Sequence, residues 1–330
     1  MIDPLLYLIG RAGAWEPWIL LILFLDASAL ILWRLEAMSG KGVEGTVLGT
    51  LIMPYCTGIG NLIFVAVMVR HPGTGDEVMV NCLVNNATNL TLLIGLPTIF
   101  WGMTVLPKGK AKKKEIQEQQ VNRLSLSLTI AAAVFFTGCV WALSLDGKLG
   151  RGDGIALIGL FLFWQCMQVV EGMKLNVIRD QSLPERLWLD FLLLILGGFV
   201  MYVSVEGLVT WLAGIETGFI RAENIGWLSG WLLVLPNAVM AMYYGWKRKS
   251  DIVYSSQVGD GHICIPLCLG VFAVFEDMTI PESFSSGIAV VLVAAVIHLA
   301  CVSLTGRLTK PMGGVLVAAY LVFLYIGLIQ

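Results

Sequence analysis

Ten long apolar runs, separated only by short loops, constrain this chain before any motif does. They lie at roughly 18–36, 43–70, 76–106, 123–145, 153–173, 187–213, 222–247, 250–280, 284–305 and 311–329. A bilayer core takes about 20 apolar residues per helix, so each run can cross it. No water reaches that depth, and a helix satisfies its own backbone hydrogen bonds there. Composition agrees: 57% of the 330 residues are hydrophobic and 13% are charged, where soluble domains run near a quarter charged. The expectation is an all-α integral membrane protein of ten transmembrane helices, with no soluble domain between them.

Charge sets the expected orientation. With the N-terminus outside, the loops after spans 1, 3, 5, 7 and 9 face the cytoplasm and hold 16 of the 21 lysines and arginines; the other side holds Arg11, Arg70, Lys148, Arg151 and Arg221. By the positive-inside rule both termini are extracytoplasmic in a cell (inner or plasma) membrane. The run "KGKAKKKEIQEQQ" (108–120) reads as a topology anchor, with a lipid-binding patch as its alternative. The start, "MIDPLLYLIGRAGAWEPW", has no basic region or small-residue cleavage site, so no cleaved signal peptide is expected. All seven cysteines fall in apolar runs and read as small buried hydrophobes.

Five spans followed by five spans is an odd number per half, so homologous halves, 1–175 and 176–330, must be inverted. Inverted repeats place binding sites at interrupted helices near the midplane. The interruptions fall at matching places. Span 2 carries "PYCTGIGN" (54–61) and span 3 "VNCLVNNATN" (80–89); span 7 carries "LVLPN" (233–237) and span 8 "SSQVGDGHIC" (255–264). Helices 2, 3, 7 and 8 are therefore expected to break near the midplane.

At these residues the chain resembles the cation/calcium antiporter superfamily, which includes sodium/calcium exchangers. Its members have ten spans in two inverted halves, each with an α-repeat that reads like GTSLPE and then like GNxxGSNxFN. "CTGIGN" (56–61) occupies the first element and retains Thr57; the next retains Asn81, Asn86 and Asn89. In the second half Leu235 and Pro236 are retained, then Gly259. The resemblance implies alternating access, with spans 1 and 6 moving against the rest. It also exposes a departure. The family's glutamate, its principal cation ligand, is replaced in both repeats, by Asn61 and Asn237.

A cation leaving water needs oxygens to replace its hydration shell, and amide carbonyls and hydroxyls supply them without burying charge. The candidate binding residues are Thr57, Asn61, Asn81, Asn85, Asn86, Asn89, Asn237, Ser256 and Asp260, with Asn61, Asn86, Asn237 and Asp260 as ligands if a cation binds. Asn81, Asn85, Thr88 and Asn89 share about 100° of helical arc. A single acid argues against a tight calcium site and leaves sodium, a proton or a weakly held divalent ion as cargo. His262 is a candidate pH sensor, and Asp26, mid-span in "LFLDASALILW", a candidate proton-path residue. No cofactor is expected. The expected partners are the bilayer and a small inorganic cation, with no nucleic acid. Two other readings stay open: a transport-inactive scaffold or sensor, and an intramembrane enzyme using His262, Asp260 and His298. Against the enzyme, the chain has no GxSx nucleophile motif, HExxH pair or Gly-rich phosphate loop.

Overall fold

The computed structural model describes residues 3–40, 53–105, 113–179, 187–215, 219–220 and 224–329. Residues 43–52 of the second expected span, and Lys41, Lys108, Lys110, Lys112, Arg186 and Arg221 of the charge count, lie outside these. The helices are α1 (Asp3–Gly10), α2 (Glu16–Gly40), α3 (Met53–Met68), α4 (Gly75–Ala87), α5 (Ile94–Trp101), α6 (Lys113–Leu143), α7 (Arg151–Arg179), α8 (Leu187–Ala213), α9 (Ile225–Trp246), α10 (Ser250–His262), α11 (Leu269–Phe275), α12 (Phe284–Ala300) and α13 (Lys310–Ile329). Among the described residues nine helices are long and apolar enough to cross a membrane, and a shorter apolar stretch, Gly58–Met68, lies within α3.

Departures from α-helical geometry are local. A π turn at Thr88–Leu93 joins α4 to α5, and a second at Ile263–Cys268 joins α10 to α11. The second turn contains an extended residue, Ile265 (φ −125°, ψ 107°), as expected of a residue forced out of the helical region by the proline after it. Segments 54–61 and 233–237 differ from the sequence expectation. Both are helical throughout, inside α3 and α9. The glycines of 54–61 serve packing rather than unwinding: a Cβ on Gly58 would stand 2.8 Å from the Ile263 side chain, and one on Gly60 would stand 3.2 Å from Leu233.

The two halves of the chain repeat these devices in register. Helix α4, its π turn and the two-residue strand β1 (Met103–Thr104) begin at 75, 88 and 103; α10, its π turn and the strand β3 (Met278–Thr279) begin at 250, 263 and 278. Each step is 175 positions. Strand β1 pairs with β4 (Arg307–Leu308), and β3 pairs with β2 (Lys148–Leu149), both antiparallel. The close contacts follow suit, Gly95 of α5 against Gly313 of α13 and Gly270 of α11 against Gly154 of α7. Glycine at all four positions lets backbones approach as only small residues allow in a membrane.

Burial sorts the helices into centre and periphery. The α4–α5 span is 94% buried and the α10–α11 span 78%, against 28% for the span that includes α2. Helix α2 lies along α8, with Gly197 against Ile31 and Gly207 against Leu20, and Arg34 paired to Asp190 at 3.5 Å. The outer faces carry exposed Ile22, Leu25, Trp33, Phe163 and Ile195, an apolar surface of the kind that lipid solvates.

Candidate functional site

Polar side chains collect where α3, α4, α9 and α10 meet. Asn61 comes from α3, Asn81, Asn85 and Asn86 from α4, and Asn89 from the π turn after it. Asn237 comes from α9, and Ser256, Gln257 and Asp260 from α10. All nine side chains are buried.

The network centres on one oxygen of Asp260. Its Oδ2 accepts from Asn89 Nδ2 at 2.6 Å and from Asn237 Nδ2 at 2.8 Å. Asn89 Nδ2 also donates to Asn85 Oδ1 (2.8 Å), and Asn85 Nδ2 donates to Asn61 Oδ1 (3.2 Å). Asn237 Nδ2 reaches Asn89 Oδ1 at 3.4 Å as well. Four asparagines and one aspartate from four helical segments thus form a single chain of hydrogen bonds.

Around this chain sits a set of polar atoms that the protein leaves unmatched. Asn81 Oδ1, Asn86 Oδ1, Asn237 Oδ1, Gln257 Oε1 and Asp260 Oδ1 are buried and have no hydrogen-bond partner among the described residues. Buried polar atoms are nearly always paired, and each orphan costs about 1–3 kcal/mol. One carboxylate oxygen and four amide oxygens are thus left without a donor, against one unmatched donor in the network, Asn61 Nδ2, a balance suited to a positive charge. Among the described residues, no group of three or more His, Cys, Asp or Glu is placed to hold a metal ion, so amides supply most of the oxygens.

The other sequence candidates divide. Asn81 Nδ2 donates to Ser229 Oγ on α9 (2.8 Å). Asn86 Nδ2 lies 3.5 Å from Gly261 O, and its Oδ1 would stand 2.7 Å from a Cβ on Gly261. Glycine at 261 is what lets Asn86 in. Ser256 Oγ bonds Val253 O (3.1 Å) and accepts from Gln257 Nε2 (3.0 Å). Thr88 turns away, to Val84 O and to Tyr320 OH on α13. The side chain of Thr57 lies outside the described residues. Sequence reasoning missed Gln257 and Ser229. Gln257 stood inside the segment "SSQVGDGHIC", and Ser229, which meets Asn81 across the α4–α9 packing, was visible only in three dimensions.

His262, Asp26 and His298 stand apart from the network. The His262 ring faces Phe136 and Trp164 edge-on, with Nε2 3.1 Å from Thr129 O. His298 faces Tyr254 and Leu90 O. Neither histidine is hydrogen-bonded to Asp260 among the described residues. Asp26 lies on the exposed face of α2 beside Leu25 and makes no hydrogen bond or ion pair among the described residues.

A multi-pass helical membrane protein with a carboxylate and amides buried at its centre is the class that these features define. The chain belongs to the sodium/calcium exchanger family, whose model, described as sodium/calcium exchanger protein, matches residues 11–170 and 189–328. Its fold is similar to that of the sodium-calcium exchanger NCX_Mj. Against the form soaked with 2.5 mM Na+ and 0.1 mM Ca2+ the TM-score is 0.65 at 18% identity, covering 94% of this chain and 96% of that one. Against the form soaked with 10 mM Na+ and zero Ca2+ it is 0.64 at 18% identity, with both chains covered in full. No curated protein matches the sequence significantly.

Proposed function

We propose that the protein is a secondary cation antiporter whose transported ion binds at the Asp260 network. The observation that carries this reading is the state of Asp260: buried, bonded by two amides at one oxygen, and unmatched at the other. An ionised carboxylate with no counter-charge at that depth costs several kcal/mol. A cation beside Oδ1, drawing on Asn86, Asn237 and Gln257 oxygens, offsets that cost and satisfies the orphaned acceptors together. One carboxylate balances one positive charge, which favours sodium or a proton as cargo and leaves a divalent ion weakly held. The same count explains the replaced glutamates: Asn61 and Asn237 keep oxygen at both positions and drop two negative charges.

The repeat supports ten spans in two inverted halves, 1–175 and 176–330. The 175-residue step from α4 to α10 and the matched glycine contacts support a repeat, and the odd span count per half makes its two-fold axis lie in the membrane plane. The π turns of the third and eighth spans support midplane breaks in those two helices, and such turns are frequent at functional sites. Alternating access follows from α2 and α8 moving together across the buried centre. They touch along glycine-lined faces and share the Arg34–Asp190 pair. Both termini face outward in the cell membrane, and no cofactor takes part.

The test is ion-gradient-driven uptake in proteoliposomes by Asn61→Ala and Asn237→Ala. Each variant is expected to fold and to lose uptake. Undiminished uptake by both would exclude this site, and wild-type protein with neither uptake nor cation-dependent stabilisation would be a transport-inactive scaffold.

A further inference from the structure

A cleft of about 250 Å³ opens at one end of the helix pack, beside the β1·β4 pair. Trp101, Thr104, Arg248, Ser250, Arg307 and Thr309 line it, and among the described residues no carboxylate does. Two guanidinium groups and three hydroxyls in one cleft without an acid have the chemistry of an oxyanion receptor.

The details favour a built site over a chance gathering of surface cations. Arg248 is the one non-glycine residue among those described with a positive φ, at 59°. A side chain held in the left-handed region is strained and persists where its surroundings impose it. Here the turn between α9 and α10 imposes it, and Arg248 Nη1 donates to Trp101 O, which fixes the guanidinium at the cleft wall. Arg307 is exposed, and its guanidinium makes no hydrogen bond or ion pair among the described residues. Ser250 is 5% exposed. Its Oγ accepts from Thr104 N at 3.1 Å, and its own proton has no acceptor among the described residues.

Depth narrows the ligand. Trp101 lines the cleft, and Phe100, Tyr243 and Trp246 are exposed near it in the chain, with the Lys247 ammonium over the Tyr243 and Trp246 rings at 5.7 and 4.7 Å. Exposed aromatic rings with adjacent cations mark headgroup level in a bilayer. We infer that the cleft between the end of α5, the α9–α10 turn and the β1·β4 pair binds a phosphate-bearing anion, with Arg248 and Arg307 gripping the phosphate oxygens and Ser250 donating to a third. Phospholipid headgroups and free phosphate share this chemistry; the aromatic rim fits the headgroup. The inference goes beyond the antiporter reading and does not depend on it.

The experiment uses full-length protein and reads binding rather than flux. Thermal unfolding and native mass spectrometry are compared in phosphatidylcholine alone, with added phosphatidylglycerol, and with inorganic phosphate against chloride at equal ionic strength. Wild type is expected to gain stability with phosphatidylglycerol, and Arg248→Gly and Arg307→Gln each to weaken that binding by about tenfold. Arg248→Gly relieves the backbone strain, so its melting in phosphatidylcholine alone should equal or exceed wild type and report an intact fold. If inorganic phosphate reproduces the shift, the cleft is a soluble-phosphate site, and the arginine dependence still holds. Wild type indifferent to both ligands, or a double variant that binds as tightly as wild type, would overturn the inference.

Discussion

Replacing Asp260 with asparagine separates the cost of the site from its use. In Asp260→Asn the amide oxygen can take the place of Oδ2 and keep both donors, Asn89 at 2.6 Å and Asn237 at 2.8 Å. The new NH2 then occupies the place of Oδ1, which has no partner among the described residues. Two charge-assisted hydrogen bonds become neutral ones, at about 1 kcal/mol each. Removing an uncompensated buried charge returns several kcal/mol. Relief wins, so in cation-free buffer the variant should melt at or above the wild-type temperature.

With cation the order reverses. A unit charge about 4 Å from a carboxylate gains about 4 kcal/mol at an effective dielectric of about 20, so its loss weakens affinity about a thousandfold. At a cation concentration of about 100 Kd, wild type gains about 2.7 kcal/mol, and the variant, then at about 0.1 Kd, gains less than about 0.1. The assay is thermal unfolding of both proteins over sodium, potassium, calcium, magnesium and manganese, with choline chloride holding ionic strength. A variant that keeps the wild-type cation-dependent shift would refute the reasoning. So would one that melts well below wild type without cation, because the charge would then belong to a stabilising network.

Other consequences follow from the same geometry. Restoring both family acids, Asn61→Glu with Asn237→Glu, places three carboxylates in one buried network; the double variant should be less stable than wild type in chelator and show a larger calcium-dependent thermal shift than wild type. Gly261→Ala puts a Cβ 2.7 Å from Asn86 Oδ1 and should cut cation-driven flux at least tenfold while costing about 1–3 kcal/mol of stability, the usual penalty of overpacking. His262→Gln should leave the pH dependence of flux unchanged, since the ring sits among Phe136, Trp164 and Thr129 rather than on the network.

The parts of this fold that were legible in the sequence are those governed by periodic or compositional physics. Apolar run length located the helices. The convergence of Asn61, Asn85, Asn89, Asn237 and Asp260 was readable because polar side chains at bilayer depth must find one another. Less legible was how a helix departs from ideality. Glycine and proline in "PYCTGIGN" and "LVLPN" suggested unwinding, but Gly58 and Gly60 make room for Ile263 and Leu233, and α3 and α9 stay helical. The π turn at Thr88–Leu93 has no proline or glycine to announce it. Gln257 was overlooked because a lone glutamine carries no motif, and Asp26 looked central because sequence depth cannot tell a lipid-facing side from an inward one.

The central claim, that one buried carboxylate among amides holds the transported cation, is met most directly by locating the ion. Anomalous diffraction from crystals soaked in a thallium salt, a heavy monovalent surrogate for sodium and potassium, places it without reference to flux. The account predicts a peak at Asp260 Oδ1, bordered by the Asn86, Asn237 and Gln257 oxygens, that vanishes in Asp260→Asn. A peak elsewhere in the helix pack that persists in that variant would contradict it.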